Sequence, residues 1–259
     1  MFRILKKQPL NPTVTLMKID APAVAKKANP GQFIILRTDA AGERIPLTIA
    51  DADPVAGTIT LVVQAVGDST RKICALEPGD SLTDVVGPLG KATRIEQFGT
   101  VLCCGGGVGV APLLPIIRAM KAAGNRVVSV LAGRSKDLII LEDEVRTSSD
   151  EVIIMTDDGS YGQQGLVTVG VEQVLQREHV DRCVTIGPAI MMKFVALLTK
   201  KYEVPTEASL NAIMVDGTGM CGACRVTVGG RTRFVCVEGP EFDAHEIDFD
   251  ELLQRLRNG

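Results

Sequence analysis

The sequence predicts an antiparallel β-barrel, followed by a doubly wound parallel α/β domain and a small C-terminal module. Three observations carry that prediction. Up to Phe98, short β-prone runs alternate with Pro, Gly and Asp punctuation. After Gly99 the rhythm switches to strands alternating with helices. From Thr206 onward, glycine and cysteine concentrate in a loop and a hairpin. The expected segments are therefore 1–98, 99–205 and 206–259.

In the first segment TVTLMKID, GQFIILRT and TITLVVQAV read as strands, set apart by NPGQ, DADP and EPGD. Several short strands at this spacing suggest a small barrel. In the second, TVLCC reads as a buried strand, GGGVG as a tight turn, and APLLPIIRAMKAAG as a helix ending on glycine. NRVVSVLAG, EVIIMT and RCVTIG supply further strands, and LIILEDEVR, LVTVGVEQVLQRE and MMKFVALLTKK further helices. Such alternation implies a parallel sheet with short, right-handed connections. In the third, SLNAIMV is expected to be a last strand and RVTVGGRTRFVCV a hairpin turning at Gly229–Gly230. DFDELLQRLRNG reads as an amphipathic helix with an acidic first turn.

Composition narrows the function classes. Hydrophobic residues make up 46% and charged residues 23% of 259, the balance of a chain with a sizeable core. Net charge is −3 with no basic block, and aromatics are 3% without Trp, which argues against nucleic acid as a partner. No apolar run reaches the ~18 residues of a membrane span. The N-terminus MFRILKKQPLNPTVTL lacks the apolar core and small-residue cleavage site of an export signal. A cytoplasmic protein is expected. His179 and His245 are isolated and outside any triad motif, and both are expected at the surface.

Seven cysteines without an export signal read as thiols, metal ligands or redox centres. Cys74, Cys103, Cys104 and Cys183 lie in or beside apolar runs, whereas the others form the frame Asp216-x4-Cys221-x2-Cys224-x11-Cys236. Plant-type [2Fe–2S] sites use C-x4-C-x2-C…C, and here Asp216 stands where the first thiolate would be. A carboxylate is harder than a thiolate but still anionic, and the glycines between let the loop wrap closely. A three-cysteine-plus-carboxylate zinc site and reduced structural thiols are the alternatives. Zinc sites seldom use this glycine-rich frame, which favours the cluster. An Asp before Gly is also a routine turn residue.

Gly105-Gly106-Gly107-Val108-Gly109 follows one predicted strand and opens a predicted helix, with Pro112 in its first turn. Glycines there let the backbone approach a pyrophosphate at a helix N-terminus. The acidic residue that would hold a ribose 2′-OH is missing; the next strand ends at Arg134, which suits a 2′-phosphate or simply solvent. Two further loops fall at strand carboxyl ends, where open α/β sheets bind ligands. They carry Asp157, Asp158 and Gly159, and Gly187, Pro188 and Met191.

Together these segments resemble the ferredoxin–NADP reductase superfamily over essentially the whole chain. The resemblance is to the branch holding dihydroorotate dehydrogenase electron-transfer subunits and the small subunits of NADH-dependent reduced ferredoxin:NADP oxidoreductases. It implies an FAD-binding barrel, a nucleotide-binding α/β domain and a [2Fe–2S] module, in that order. By this resemblance the flavin motif is Arg44-Ile45-Pro46-Leu47-Thr48, with Arg44 near the FAD phosphates and Thr48 near the flavin N5. Leu47 stands where an aromatic is usual. Val63, Gln64 and Ala65, with Gly67, Ser69 and Thr70, would form the second FAD segment. Gly87-Pro88-Leu89-Gly90 matches the loop that closes the barrel. Asp216 in the first ligand position is similar to the oxidoreductase small subunits, whereas the dihydroorotate-linked subunits carry four cysteines. The resemblance thus implies NAD(H) as nucleotide, a larger flavoprotein subunit as heterodimer partner, and ferredoxin reached through that complex. Arg134 points instead to NADP(H).

Overall fold

The computed structural model describes residues 1–257; Asn258 and Gly259, the end of the expected C-terminal helix, lie outside the described residues. The first part contains β1 (Phe2–Asn11), β2 (Val14–Asp20), β3 (Phe33–Arg37), β4 (Ile45–Thr48), β5 (Asp51–Asp53), β6 (Thr58–Gln64), β7 (Ser81–Leu82) and β8 (Asp84–Leu89). Two short helices, α1 (Pro22–Ala25) and α2 (Asp68–Ala75), lie among them. The strands form two antiparallel sheets, ordered β5-β6-β2-β1-β7 and β4-β3-β8. Met17 and Ile19 of β2, Ile34 and Leu36 of β3, and Ile59 and Leu61 of β6 are fully buried between them. Each such side chain contributes about 1.5–3 kcal/mol of burial. This alternation is why the two sheets close into a barrel.

The second part is a seven-stranded sheet in the order β12-β11-β10-β9-β13-β14-β17. Its elements run β9 (Thr100–Gly106), α3 (Val110–Ala122), β10 (Arg126–Gly133), α4 (Glu142–Ser148), β11 (Glu151–Thr156) and β12 (Gln163–Gln164). They continue with α5 (Val167–Arg177), β13 (Arg182–Ile186), α6 (Ala189–Lys201) and β14 (Thr206–Ser209). β9 shows why its sequence reads as unbroken apolar: Val101 and Cys103 pack with α3, while Leu102 and Cys104 pack with α5 and α6.

The remainder holds a hairpin of β15 (Arg225–Val228) and β16 (Arg231–Phe234), then α7 (Val235–Glu238), β17 (Glu241–Asp243) and α8 (Phe249–Arg257). β17 returns antiparallel to β14 as the last strand of the large sheet. The core of this region also takes in Phe33 and Ile35 of the barrel and Met192 and Ala196 of α6.

Three local expectations are corrected. The helix expected over LIILEDEVR begins only at Glu142, because Ile140 is drawn into the core and Leu141 turns the chain in a left-handed conformation. The strand expected over SLNAIMV stops at Ser209. Leu210, Ala212 and Met214 keep an alternating burial, but face the C-terminal core without strand partners. The hairpin ends at Phe234, and a helical turn then carries Cys236 inward. No helix among the described residues is long and apolar enough to cross a membrane.

Candidate flavin, nucleotide and cluster sites

A cavity of about 840 Å³ lies between the barrel and the carboxyl ends of the parallel strands. Its volume falls within the range of pockets that hold large cofactors and ligands. Pro46, Leu47, Thr48 and Gln64 line it from the barrel. Gly106, Gly107, Val108, Gly109 and Pro112 line it from the turn between β9 and α3. Arg134 and Asp157 enter from the ends of β10 and β11, and Gly187, Pro188 and Met191 from the end of β13.

The glycines of the turn are required by space. A Cβ at Gly109 would lie 2.5 Å from the Ile186 carbonyl oxygen, and one at Gly106 would overlap the Met191 thioether. The backbone of the turn between β9 and α3 therefore meets that at the end of β13, a cradle that side chains would fill. Met192 is core, as expected for this helix, but Met191 is turned to the cavity and lies against both Gly106 and Gly187. Arg134 takes part in no ion pair among the described residues.

The remaining site residues lie apart. Val63 is fully buried in the barrel core. The Thr70 hydroxyl accepts bonds from Val66 and Gly67 N–H at 3.0 and 2.9 Å and donates to the Gly67 carbonyl, capping α2. Ser69 donates to the Glu43 carboxylate. Ile45, Ala65, Gly67, Asp158 and Gly159 do not line the cavity. The Asp158 carboxylate accepts bonds from Ser160, an Asx-type turn that holds it below the usual carboxylate range. Arg44 lies in a second cavity of about 280 Å³ with Ile35, Arg37, Asp84, Asp216 and Thr218. Arg37 there is paired with Asp84 at 2.6 Å, while Arg44 forms no bond among the described residues.

The cluster frame forms a loop beside that cavity. Asp216 accepts bonds from the N–H of Thr218, Met220 and Cys221 at 2.9, 3.1 and 2.8 Å. These, the Thr218 bond foremost, hold its carboxyl below the usual range. Cys221 is exposed, whereas Cys224 and Cys236 are buried and face each other. The Cys236 N–H donates to the Cys224 sulfur at 3.4 Å. Burial, then the neighbouring Cys224, pushes the Cys236 thiol up to about 12. The Cys221 N–H ties Asp216 to Cys221, and the Cys236 N–H ties Cys236 to Cys224. Four anionic donors in pairs, with an N–H aimed at a sulfur, fit a two-iron cluster.

Sequence reasoning missed Asn211, Met214 and Phe194, which also line the large cavity. The first two sat in a stretch read as a strand, and Phe194 follows ordinary helix spacing. The expected surface position holds for His179 but only in part for His245, whose ring is half-buried 3.1 Å from the Thr199 hydroxyl. Burial lowers the pKa of His245.

The iron–sulfur cluster binding domain of dihydroorotate dehydrogenase B matches residues 211–248. Over 253 residues the chain is 49% identical to the "Dihydroorotate dehydrogenase B (NAD(+)), electron transfer subunit homolog" of Thermotoga maritima, covering 98% of this chain and 89% of that protein. The chain belongs to this electron-transfer subunit family. Another member, from Geobacillus thermodenitrificans, is 34% identical over 89% of this chain and 91% of its own. Among solved structures, the NADH-dependent reduced ferredoxin–NADP oxidoreductase matches with a TM-score of 0.96 and 46% identity, covering 100% of this chain and 94% of that one. The Amycolatopsis cytochrome P450 reductase shares the fold at 19% identity and a TM-score of 0.65, over 78% of this chain and 65% of that one. The family members therefore share the barrel-plus-parallel-sheet plan described above.

Proposed function

We propose that this chain is the electron-transfer flavoprotein subunit of a ferredoxin:NADP oxidoreductase complex. It exchanges hydride between NAD(H) and FAD and relays single electrons through a [2Fe–2S] cluster. One observation carries the reading: a single cavity joins Pro46, Leu47 and Thr48 of the barrel to the Gly106–Gly109 turn. Hydride transfer needs two rings in one enclosure, and this cavity spans both candidate sites. When bound, FAD supplies the step between two-electron and one-electron chemistry, and the cluster supplies a one-electron carrier.

The chain's own residues position these groups. The Thr48 hydroxyl is the donor or acceptor offered to the flavin edge, and Leu47 is an apolar wall beside it. The Gly106–Gly109 backbone and the start of α3 receive the nucleotide pyrophosphate. Asp216 with Cys221 would hold one iron, and Cys224 with Cys236 the other. The segments 1–98, 99–205 and 206–259 divide the flavin, nucleotide and cluster tasks. NAD(H) is the expected nucleotide; the unpaired Arg134 gives NADP(H) a place in the test. The partner is a larger flavoprotein subunit that passes electrons to or from ferredoxin.

A second reading, the electron-transfer subunit of an NAD-dependent dihydroorotate dehydrogenase, is favoured by the match over residues 211–248. Asp216 in place of a cysteine favours the first. The test is the visible spectrum of the anaerobically purified chain, before and after NADH or, separately, NADPH. Flavin and iron–sulfur bands that bleach with NADH support the reading. A flavin spectrum with bound zinc and no cluster absorbance overturns the cluster assignment. Reoxidation by ferredoxin with the larger flavoprotein, rather than by a dihydroorotate dehydrogenase subunit, separates the two complexes.

A further inference from the structure

The loop that carries Asp216 lies close against the barrel at Gly217. Gly217 has φ +73°, and a Cβ there would lie 2.8 Å from Ile35 Cγ1 and 2.8 Å from Leu89 Cδ1. Both partners are barrel residues, on β3 and β8. The other glycines of the loop face elsewhere. A Cβ at Gly219 would have its nearest atoms on Val237 of the loop's own region, at 3.1 Å, and one at Gly222 would meet only Phe234, at 3.7 Å. Beside the contact lies the 280 Å³ cavity, walled by Ile35 and Arg44 from the barrel and by Asp216 and Thr218 from the loop. Gly217 thus sits against the barrel with open space next to it.

Ile35 pairs with Pro46 across the β3–β4 ladder, and Ile34 pairs with Leu47. The strand that Gly217 lies against is thus the immediate neighbour of the flavin-motif strand, about 4.8 Å away between strand axes. On the reading under Proposed function, we propose that Gly217 is a positioning residue that seats the cluster loop on the barrel and sets the separation of the two redox groups. Oxidation of one NADH delivers a hydride, two electrons with one proton. The cluster accepts one electron at a time, so this separation is crossed twice per NADH when a one-electron acceptor drains the cluster, and the proton goes to solvent.

The test compares Gly217→Ala with Gly222→Ala. Both replace a glycine of positive φ in the same loop, +73° and +68°, but only the first introduces a methyl against the barrel. Hydrogen–deuterium exchange of residues 33–37 and 214–221 reads the seat itself. Gly217→Ala is expected to speed exchange in both segments about tenfold or more, and Gly222→Ala to leave residues 33–37 unchanged. In stopped flow, flavin bleaching by NADH should keep its wild-type rate in Gly217→Ala while cluster reduction lags several-fold, since electron transfer slows as the two groups move apart. Iron content and the cluster's electron paramagnetic resonance signal check that the cluster is present. Equal behaviour of the two variants in exchange overturns the proposal, because backbone strain alone would then explain the loop. Cluster reduction at the wild-type rate in cluster-loaded Gly217→Ala also overturns it. If the wild-type chain holds no flavin or cluster, the reading of function fails while the exchange comparison still decides the seat.

Discussion

Thr93, in the segment leaving the barrel, donates a 2.6 Å hydrogen bond to Glu241, 148 residues further along the chain. The bond ties the end of the barrel to the last strand of the parallel sheet. Glu241 is raised to about 7, mainly by burial and further by Glu207, while Thr93 and Arg182 act in the opposite sense. Its folded value thus lies above the ordinary 4.5. The folded state holds this proton more tightly, so stability is fully present at low pH and falls as pH rises from about 4.5 to about 7. The expected loss is on the order of 3 kcal/mol. Glu241→Gln should flatten that slope and raise the urea midpoint at about pH 8 more than at about pH 5. Parallel wild-type and variant slopes would show that the proton on Glu241 carries no linkage.

Thr48→Val removes one hydroxyl from the large cavity and keeps the side-chain shape. A single lost hydrogen bond of this kind costs about 0.5–1.5 kcal/mol, so flavin reduction by NADH should slow up to about tenfold. FAD content should stay near wild type. Rapid-mixing absorbance reads the rate, and an unchanged rate would remove Thr48 from the flavin edge.

Asp216 can be tested by chemistry rather than by deletion alone. Asp216→Cys restores a four-thiolate frame and should retain two irons per chain with an altered resonance signal. Asp216→Ala leaves three donors and should lose most of the iron. Equal iron in Asp216→Ala and wild type would make Asp216 a turn residue only.

Gly109→Ala places a methyl 2.5 Å from the Ile186 carbonyl oxygen and 2.8 Å from Gly187 Cα. Overpacking of this kind costs about 1–3 kcal/mol and should weaken NADH binding with it. Gly67→Ala serves as control: nothing lies within 4 Å of its added Cβ. It should change stability by about 0.5 kcal/mol or less. Thermal unfolding and NADH titration separate the two.

Much of this arrangement was legible in the sequence because its signals are local. Period-two burial in β2 marks the barrel, and the uninterrupted run of β9 marks a strand covered on both faces. The glycine turn was legible for the same reason, since glycine density reports where two backbones meet. What stayed hidden depends on contacts between distant segments. Arg44 sits one residue before β4, and only the folded barrel shows it beside Asp216 rather than beside Thr48. Residues 210–214 alternate as a strand does, yet they face the C-terminal core without a ladder partner, which no local pattern distinguishes.

β14 and β17 lie side by side in the large sheet, and the loop with Asp216, the three cysteine donors and the hairpin all fall between them in the chain. The cluster region is thus an insertion anchored at both ends to neighbouring strands, not a bead on a tether. Transplanting it to another scaffold would call for two adjacent strand ends to receive it, plus a surface to replace Phe33, Ile35, Met192 and Ala196. Cutting the chain before Thr206 would strip both β14 and its antiparallel neighbour β17 from the sheet as well. A gene encoding either half alone would not yield a working half.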